Sequence, residues 1–446
     1  LTKESRFKMI LLDTSITIVS SIVVFLLVVL FLVGILLYVK TKLSPSGKIT
    51  IKINGEKEII VDGGSTLLST LSSNGIFLPS ACGGGGTCIQ CTCQVNEGGG
   101  GILPTESPHF SRKEISENYR LSCQVKVRED MDIHIPEEIF GVKKWEATVV
   151  SNYNVATYIK EFIVEVPEDM PYEAGGYIQI EIPDCEVPFD EMDITAHPED
   201  HPGEPNKFDK DWAEGNFAMR NLVMKNDEDV VRAYSMASYP AEGRKIMLNV
   251  RVAAPPPNSD RNGWSDINPG VASSYIFGRK PGDKVTISGP YGEFFINHSD
   301  AEMLYIGGGA GMAPMRSHLY ELFRTLKTGR KVSYWYGGRS RAELFYIEHF
   351  RSLEREFSNF KFYLVLSDAQ ESDNWIEKKD INDPNGDGFV GFVHNAVIDQ
   401  YLVNHENPED IELYFCGPPM MNQSVIKLAE DWGIPDENVR FDDFGG

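Results

Sequence analysis

The stretch that most constrains this chain runs from Ser80 to Gln94 and reads SACGGGGTCIQCTCQ. Cys82, Cys88 and Cys91 fall within ten residues around four consecutive glycines, and Cys123 follows further on. Thiolates this crowded repel one another unless a metal centre or disulfide bonds compensate. The glycines favour a metal centre, because residues without a Cβ let the backbone wrap closely and direct N–H groups at the ligand atoms.

The cysteine spacing is C-x5-C-x2-C with a distant fourth cysteine. It resembles the C-x4-C-x2-C pattern of plant-type [2Fe–2S] ferredoxins, with a first gap one residue longer. A disulfide knot suits small secreted chains rather than one of 446 residues with seven cysteines. A four-thiolate zinc site usually pairs two C-x2-C units, and this stretch has one. We therefore predict a [2Fe–2S] cluster bound by Cys82, Cys88, Cys91 and Cys123, with Cys93 as a non-ligand.

A small ferredoxin-like domain is expected around this loop, over residues 46–138. The segments on either side of Asn54-Gly55 alternate in polarity, and this dipeptide favours tight hairpins. Ser65 precedes an apolar-periodic run and is a suitable N-cap for a short helix. Hairpin, helix, cysteine loop and a later strand carrying Cys123 together predict a β-grasp arrangement.

The N-terminal segment, residues 1–45, contains an uncharged apolar stretch over about 16–39. At about 1.5 Å per residue, a helix of this length crosses a hydrocarbon core of about 30 Å. The apolar region of a signal peptide is shorter and ends in small residues, whereas Tyr38 and Lys40 follow here. We expect a single transmembrane anchor, whose orientation the flanking lysines and arginines leave open.

Length and charge limit the other possibilities. A chain of 446 residues is expected to form two to four domains. The formal net charge of −23 argues against a nucleic-acid partner, since polyphosphate binding needs a basic face.

Residues 141–298 are rich in short strands with period-two alternation, which predicts an antiparallel barrel. The runs Arg232-Ala-Tyr234-Ser235 and Gly270-Val-Ala-Ser273-Ser274 in this region resemble the flavin signatures R-x-Y-[ST] and G-x-x-[ST] of the ferredoxin–NADP reductase superfamily. An arginine can grip a pyrophosphate, a tyrosine ring can lie against the isoalloxazine and a serine hydroxyl can bond its N5 edge. The predicted FAD-binding residues are Arg232, Tyr234, Ser235, Gly270, Ser273 and Ser274.

An acidic, proline-interrupted insertion occupies about 184–229 of the same region. Its weak periodicity predicts a solvated loop, and docking onto a partner subunit is the alternative. His197 and His201 lie four residues apart within it, but flanking prolines disfavour the helix that would place them on one face. No metal site is predicted there.

Residues 299–446 change to alternating strands and helices, which predicts a parallel sheet with covering helices. A glycine-rich turn follows its first strand, with a helix expected from about Met315. Such a turn brings the backbone and a helix N-terminus to a pyrophosphate. It resembles the G-x-G-x-G-x-x-P motif of the same superfamily, and its candidate residues are Gly307, Gly308, Gly309, Gly311 and Pro314.

Three further features resemble parts of the nucleotide and flavin sites of that superfamily. The run CGPPMM contains Cys416, Gly417 and Pro418, and the resemblance places Cys416 near the nicotinamide C4. Arg339 follows the second strand, where superfamily members contact the adenosine ribose, and a basic residue there leaves NADH and NADPH both possible. Phe444 matches the terminal aromatic residue that stacks on the flavin.

The order of modules resembles the family of F subunits of the bacterial Na⁺-translocating NADH:quinone oxidoreductases, a likeness that rests on the phrases GGGAGMAPMRS, CGPPMMN and DDFGG. The resemblance implies NADH as donor, FAD as flavin, hydride transfer beside Ser235, Cys416 and Phe444, and partner subunits of a membrane quinone reductase. It also implies a single-pass protein of the inner membrane with its soluble domains in the cytoplasm. Two alternatives remain: the reductase component of a multicomponent oxygenase, and a tethered electron-transfer scaffold that does not oxidise NADH.

Overall fold

The computed structural model describes residues 21–35, 48–80 and 82–442. They divide into two compact units, one formed by residues up to Ile76 with Cys91–Glu137, the other by Phe77–Gln90 with the chain from Glu138 onward. Residues 21–35 form helix α1, with exposed side chains. Over these described ranges, no helix has both the length and the apolar character needed to cross a membrane. The predicted span over 16–39 extends beyond the described residues at both ends.

The first unit is a small mixed sheet with two short helices. Its elements are β1 (Lys48–Ile53), β2 (Lys57–Asp62), α2 (Leu67–Ser73), β3 (Thr92–Glu97), α3 (Arg112–Ser116), β4 (Tyr119–Leu121) and β5 (Met131–His134). The strand order is β2-β1-β5-β3-β4. Strands β1 and β5 run parallel, and the other neighbours are antiparallel. The predicted hairpin is confirmed, with Asn54 and Gly55 at φ 52° and 73°.

The N-cap of α2 differs from the prediction. Thr66, rather than Ser65, caps the helix, and its Oγ1 accepts a hydrogen bond from the backbone N–H of Ser69 at 3.2 Å. The Ser65 carbonyl instead accepts from Val127 N at 3.0 Å, so Ser65 belongs to the loop that ties the helix to a later segment.

The second unit contains a strand-rich region followed by an α/β region. The elements of the strand-rich region are β6 (Lys143–Ala156), β7 (Ile159–Glu165), β8 (Tyr177–Ile182), β9 (Cys185–Pro188), α4 (Asp209–Ala213), β10 (Val223–Asn226), β11 (Val230–Ser235), β12 (Lys245–Arg251), α5 (Val271–Phe277) and β13 (Lys284–Tyr291). Six of these strands form an antiparallel sheet in the order β11-β8-β13-β6-β7-β12. A bridge between Met236 and Leu248 joins its two edges, as the predicted barrel requires.

The acidic insertion is not a solvated loop, and that prediction is wrong. Phe189, Phe208 and Trp212 are at most 1% exposed and pack into the core of the barrel. The indole Nε1 of Trp212 donates to the Thr157 carbonyl at 2.7 Å. The apolar side chains of the insertion are irregularly spaced, so their burial leaves no periodic pattern in the sequence.

A charged contact also fastens the insertion to the barrel. His197 Nε2 lies 3.3 Å from Glu161 Oε1 on β7, and His197 Nδ1 lies 3.3 Å from Asp200 Oδ2. Glu161 Oε2 also accepts a hydrogen bond from the Tyr346 hydroxyl of the following region at 2.6 Å. His197 is therefore an ion-pair partner.

The α/β region has the predicted parallel sheet. Its elements are β14 (Met303–Gly308), α6 (Met312–Tyr320), β15 (Val332–Gly338), α7 (Ile347–Glu356), β16 (Phe360–Leu366), β17 (Phe389–Val390), α8 (Val393–Gln400), β18 (Glu412–Cys416), α9 (Pro419–Asp431) and β19 (Val439–Asp442). The strand order is β17-β16-β15-β14-β18-β19, parallel throughout. Helices α6 and α7 share one apolar core with the sheet, and α8 and α9 share another. Helix α6 begins three residues before the expected Met315, directly after the glycine turn.

Candidate functional site

The four predicted cluster ligands form two pairs, one in each unit. In the second unit the thiols of Cys82 and Cys88 are hydrogen-bonded to each other. In the first unit Cys91 and Cys123 form a similar pair, and this thiol contact, with burial, raises the pKa of Cys91. Within the described ranges, no three cysteine, histidine or carboxylate side chains are grouped as a metal site would need.

The loop around Cys82 has the chemistry that an iron–sulfur ligand requires. Burial alone would raise the pKa of the Cys82 thiol, but backbone N–H groups of Cys88 and Thr87 donate to the sulfur and lower the pKa to about 6. The turn depends on left-handed backbone at Gly83, Gly84 and Gly86, with φ of 65°, 92° and 80°. N–H groups directed at a thiolate tune the clusters of ferredoxins, so these residues fit a [2Fe–2S] cluster.

Cys93 lies in β3 with 2% exposure, and burial raises the pKa of its thiol to about 12. A buried ion pair, which sequence reasoning missed, supports the neighbouring strand β4. Arg120 Nη2 donates to Glu106 Oε2 at 2.8 Å, and Glu106 Oε1 accepts from the Leu121 N–H at 2.9 Å. With side chains 7% and 0% exposed, the pair fixes the strand that ends two residues before Cys123.

The first flavin motif lies on β11, where Arg232, Tyr234 and Ser235 fall on one strand. Ser235 stands opposite Tyr177, the first residue of β8. The Ser235 hydroxyl donates a hydrogen bond to Asp442 Oδ2 on β19. Sequence reasoning missed Asp442; its place in the terminal run FDDFGG, close to Phe444, is the signal that could have found it. Phe444 itself lies outside the described residues.

The loop carrying Cys82 and Cys88 packs directly on this flavin strand. The Arg232 Nη1 atom lies 2.4 Å from the point that a Cβ on Gly83 would occupy, and it donates to the Val231 carbonyl at 2.8 Å. The Tyr177 hydroxyl donates to Gln90 Oε1 at 3.2 Å. Arg232, predicted to hold the FAD pyrophosphate, therefore also contacts the cysteine loop.

The second flavin motif forms the start of α5. The hydroxyls of Ser273 and Ser274 both donate to the Gly270 carbonyl, at 3.1 and 2.7 Å. Ser273 Oγ also accepts from the Ala253 N–H at 3.1 Å. Gly270 closely approaches this loop, since a Cβ there would lie 2.6 Å from the Ala253 side chain. In this structure both hydroxyls thus stabilise the first turn of α5. The hydroxyls of the predicted pyrophosphate-binding motif therefore form hydrogen bonds within the protein.

The structure brings the two predicted nicotinamide motifs together at the carboxyl edge of the parallel sheet. Gly307 of β14 is directly opposite Cys416 of β18. A Cβ on Gly311 would lie 2.1 Å from the Cys416 carbonyl oxygen, so the glycine turn and the Cys-Gly-Pro-Pro loop are in backbone contact. Gly309 has φ of 56°, and the Cys416 side chain is fully buried. Gly308 touches the same loop, since its Cβ would lie 3.2 Å from Pro418 Cδ.

Helix α6, which contains Pro314 and follows the glycine turn, is fastened to the end of the flavin strand. Arg316 Nη1 donates to the Ala237 carbonyl at 2.7 Å, and the Ser317 hydroxyl donates to the Ser238 carbonyl at 2.7 Å. These carbonyls lie two and three residues after Ser235. The helix that opens the predicted nucleotide site is therefore bonded directly to the predicted flavin site.

Arg339, predicted at the adenosine ribose, is exposed and lies beside a carboxylate. Its Nη2 atom donates to Asp368 Oδ2 at 3.2 Å, and the Asp368 N–H donates to the Arg339 carbonyl at 2.8 Å. Asp368 follows β16, the neighbour of β15, which Arg339 follows. The Arg339 guanidinium is thus already paired with a carboxylate.

Three family models match successive parts of the chain. A 2Fe-2S iron-sulfur cluster binding domain matches residues 51–128, an oxidoreductase FAD-binding domain residues 211–296 and an oxidoreductase NAD-binding domain residues 305–427. The first covers all four predicted cluster ligands, and the third covers the glycine turn and the Cys-Gly-Pro-Pro loop.

Curated relatives match nearly the full chain, and all three described here are F subunits of Na⁺-translocating NADH-quinone reductases. The protein of Neisseria meningitidis is 52% identical over 431 residues, covering 96% of this chain and 100% of that protein. The protein of Pasteurella multocida is 52% identical over 416 residues, covering 92% and 95%. That of Marinomonas sp. is 49% identical over 434 residues, covering 97% and 100%.

Solved structures share the fold at low identity. A cytochrome P450 reductase from Amycolatopsis has a TM-score of 0.59 at 22% identity, covering 89% of this chain and 98% of that one. A ferredoxin reductase of carbazole 1,9a-dioxygenase has a TM-score of 0.54 at 21% identity, covering 90% and 99%.

Proposed function

This chain belongs to the family of F subunits of the Na⁺-translocating NADH-quinone reductases, and we propose that it is the electron-input component of such a membrane complex. It oxidises NADH and delivers electrons one at a time to partner subunits that reduce quinone and translocate Na⁺. When bound, FAD supplies the exchange between a hydride and single electrons, and the [2Fe–2S] cluster supplies one-electron transfer.

The observation that carries the proposal is the bonding of α6 to the flavin strand. Because Arg316 and Ser317 hold the carbonyls that follow Ser235, the distance between the two sites is fixed by direct hydrogen bonds. Reactions between two bound partners gain most of their rate from such fixed geometry. A scaffold that only relays electrons has no need for a nucleotide turn bonded to the flavin site.

Each group of predicted site residues then has a separate role. The turn from Gly307 to Gly311 gives the NADH pyrophosphate a close approach to the backbone and to the N-terminus of α6. Cys416 lies beside this turn and lines the position of the nicotinamide ring. Ser235 presents its hydroxyl on the flavin strand, and this hydroxyl donates a hydrogen bond to Asp442 Oδ2. We propose that Phe444 stacks on the flavin and is displaced when the nicotinamide binds.

We propose that NADH is preferred to NADPH because of Asp368. The carboxylate pairs with Arg339, the cation that would otherwise receive a 2′-phosphate. A phosphate brought to this place would meet a like charge and would have to compete for the guanidinium.

We further propose that the apolar segment of about 16–39 anchors the chain in the bacterial inner membrane, with the folded domains in the cytoplasm, where NADH is found. Its described part is a helix whose fifteen residues, 21–35, are uncharged and exposed. Alkaline carbonate extraction of native membranes tests this: the chain is expected to stay in the membrane pellet, and release into the supernatant would refute the anchor.

Two measurements test the electron-input function. Anaerobic mixing of the cofactor-loaded chain with NADH is expected to bleach the flavin and then to produce the electron paramagnetic resonance (EPR) signal of a reduced [2Fe–2S] cluster. Failure of NADH to bleach the flavin would refute the enzymatic proposal. Affinity purification from native membranes is expected to recover the partner subunits; recovery of a soluble oxygenase instead would support the oxygenase-reductase alternative.

A further inference from the structure

Tyr177 links the flavin strand to the cysteine loop, and none of the sequence motifs includes it. It begins β8 directly opposite Ser235. Its ring stacks on Tyr291 with 5.2 Å between centroids. Its hydroxyl donates to Gln90 Oε1 at 3.2 Å. Gln90 lies two residues after Cys88, so Tyr177 pairs with the flavin strand through its backbone and contacts the loop that carries two cluster ligands through its hydroxyl.

A second contact fixes the same loop on the neighbouring strand. A Cβ on Gly83 would lie 2.4 Å from Arg232 Nη1 and 2.8 Å from the Val231 carbonyl oxygen, so this backbone sits against β11. Arg232 and Ser235 are three residues apart, which is about 10 Å along a strand. The loop thus contacts the sheet at two separated points, one at each end of the flavin motif.

Internal hydrogen bonds shape the loop, with the N–H groups of Gly83 and Gly84 donating to the carbonyl and hydroxyl of Ser80 at 3.1 and 2.9 Å, but these bonds do not tie it to the flavin strand. Four glycines lie between Cys82 and Cys88, and glycine loses more conformational freedom on ordering than any other residue. The position of these two cysteines therefore depends on contacts outside the glycine run. The phenol–amide hydrogen bond supplies one on the side that faces Ser235.

We propose that Tyr177 is a positioning residue that, through Gln90, holds the Cys82 and Cys88 loop against the flavin strand and so sets the rate of electron transfer from the flavin site to the cluster. The inference rests on the proposed function. It assigns no chemical step to Tyr177 itself, whose ring stays in the barrel while its hydroxyl locates the loop.

The test uses the full chain with its cofactors and separates two rates after anaerobic mixing with NADH. Flavin reduction is followed by absorbance, and cluster reduction by rapid-freeze EPR. Tyr177→Phe keeps the ring and Gln90→Leu removes the acceptor. Each is expected to leave flavin reduction unchanged and to slow cluster reduction by about 2- to 10-fold, the effect of losing one hydrogen bond. The double variant is expected to be no slower than either single one.

Tyr291→Phe is the matched control, because it removes a phenol of the same stacked pair whose hydroxyl donates to Ser288 at 3.1 Å rather than to the loop. It is expected to behave as wild type, and the EPR line shape of the reduced cluster should be the same in every variant. Wild-type cluster reduction in Tyr177→Phe and Gln90→Leu would overturn the inference, as would equal slowing in Tyr291→Phe. If NADH did not reduce the flavin of the wild-type chain, that result would refute the proposed function, and with it the inference about Tyr177.

Discussion

Replacing Gly311 by alanine is expected to separate the two nicotinamide motifs. The added Cβ would lie 2.1 Å from the Cys416 carbonyl oxygen, 2.4 Å from its carbon and 2.8 Å from Gly417 N. Favourable contact requires about 3.5 Å, so the two strand ends must move apart by about 1.4 Å. A displacement of about 1 Å at a reacting centre can cost about 100-fold in rate, and overpacking costs about 1–3 kcal/mol of stability.

Two other glycines separate this clash from general effects. Gly309 has φ of 56° but open space around its Cα, so Gly309→Ala carries only backbone strain of about 1–2 kcal/mol. Gly329 has no left-handed φ, and an added Cβ would have no atom within 4 Å, so Gly329→Ala should change neither the rate of flavin reduction nor the stability. Stopped-flow flavin reduction across NADH concentrations, with thermal unfolding of each variant, should rank the loss of rate as Gly311 far above Gly309, with Gly329 unchanged. A folded Gly311→Ala variant that reduces its flavin at close to the wild-type rate would refute the reasoning.

Three more predictions concern charge, pH and the cluster. Asp368→Ala frees Arg339 and should raise the ratio of NADPH to NADH in kcat/KM several-fold, as expected for an exposed ion pair worth about 1 kcal/mol; an unchanged ratio would contradict the assignment. Although burial favours the neutral imidazole, the two carboxylate partners raise the pKa of His197 to about 10. The charged ring therefore stabilises the fold fully below its unfolded pKa of about 6.5 and loses this effect as pH rises through about 10. The difference in Tm between wild type and His197→Gln should shrink over that interval, and a difference independent of pH would count against the pair. Cys88→Ala should abolish the cluster EPR signal while NADH still reduces the flavin; loss of flavin reduction would contradict the order of transfer.

Features with a local cause were accessible from the sequence. The hairpin at Asn54-Gly55 follows from the backbone preference of two residues, and the parallel sheet follows from strands that alternate with helices. Both need only the pattern along the chain and a rule of topology. The glycine turn and Cys416 were related through the resemblance of their motifs to one superfamily, and the pairing of β14 with β18 that brings them together is seen only in the structure.

Features with a distant cause were not accessible. Trp212 is buried in the core of the barrel, where its indole N–H donates to a carbonyl 55 residues earlier. The surrounding insertion has no helical or strand periodicity from which a buried core could be predicted. Asp442 reaches Ser235 only because β19 is added beside β18. Arg339 alone suggested phosphate binding, and Asp368, which pairs with it, comes 29 residues later. In each case the partner lies on another element, and residue type gives no indication of it.

The hydrogen bonds from α6 to the flavin strand have a consequence for chimaeric reductases. Ala237 and Ser238 are at most 1% exposed, so their carbonyls have no access to solvent and depend on the donors of Arg316 and Ser317. A graft that replaced residues 299–442 with the nucleotide region of a foreign reductase would leave these carbonyls orphaned unless it carried a guanidinium and a hydroxyl at the same two positions. One face of one helix would then be a requirement for compatible halves, in addition to contacts such as that of the Tyr346 hydroxyl with Glu161.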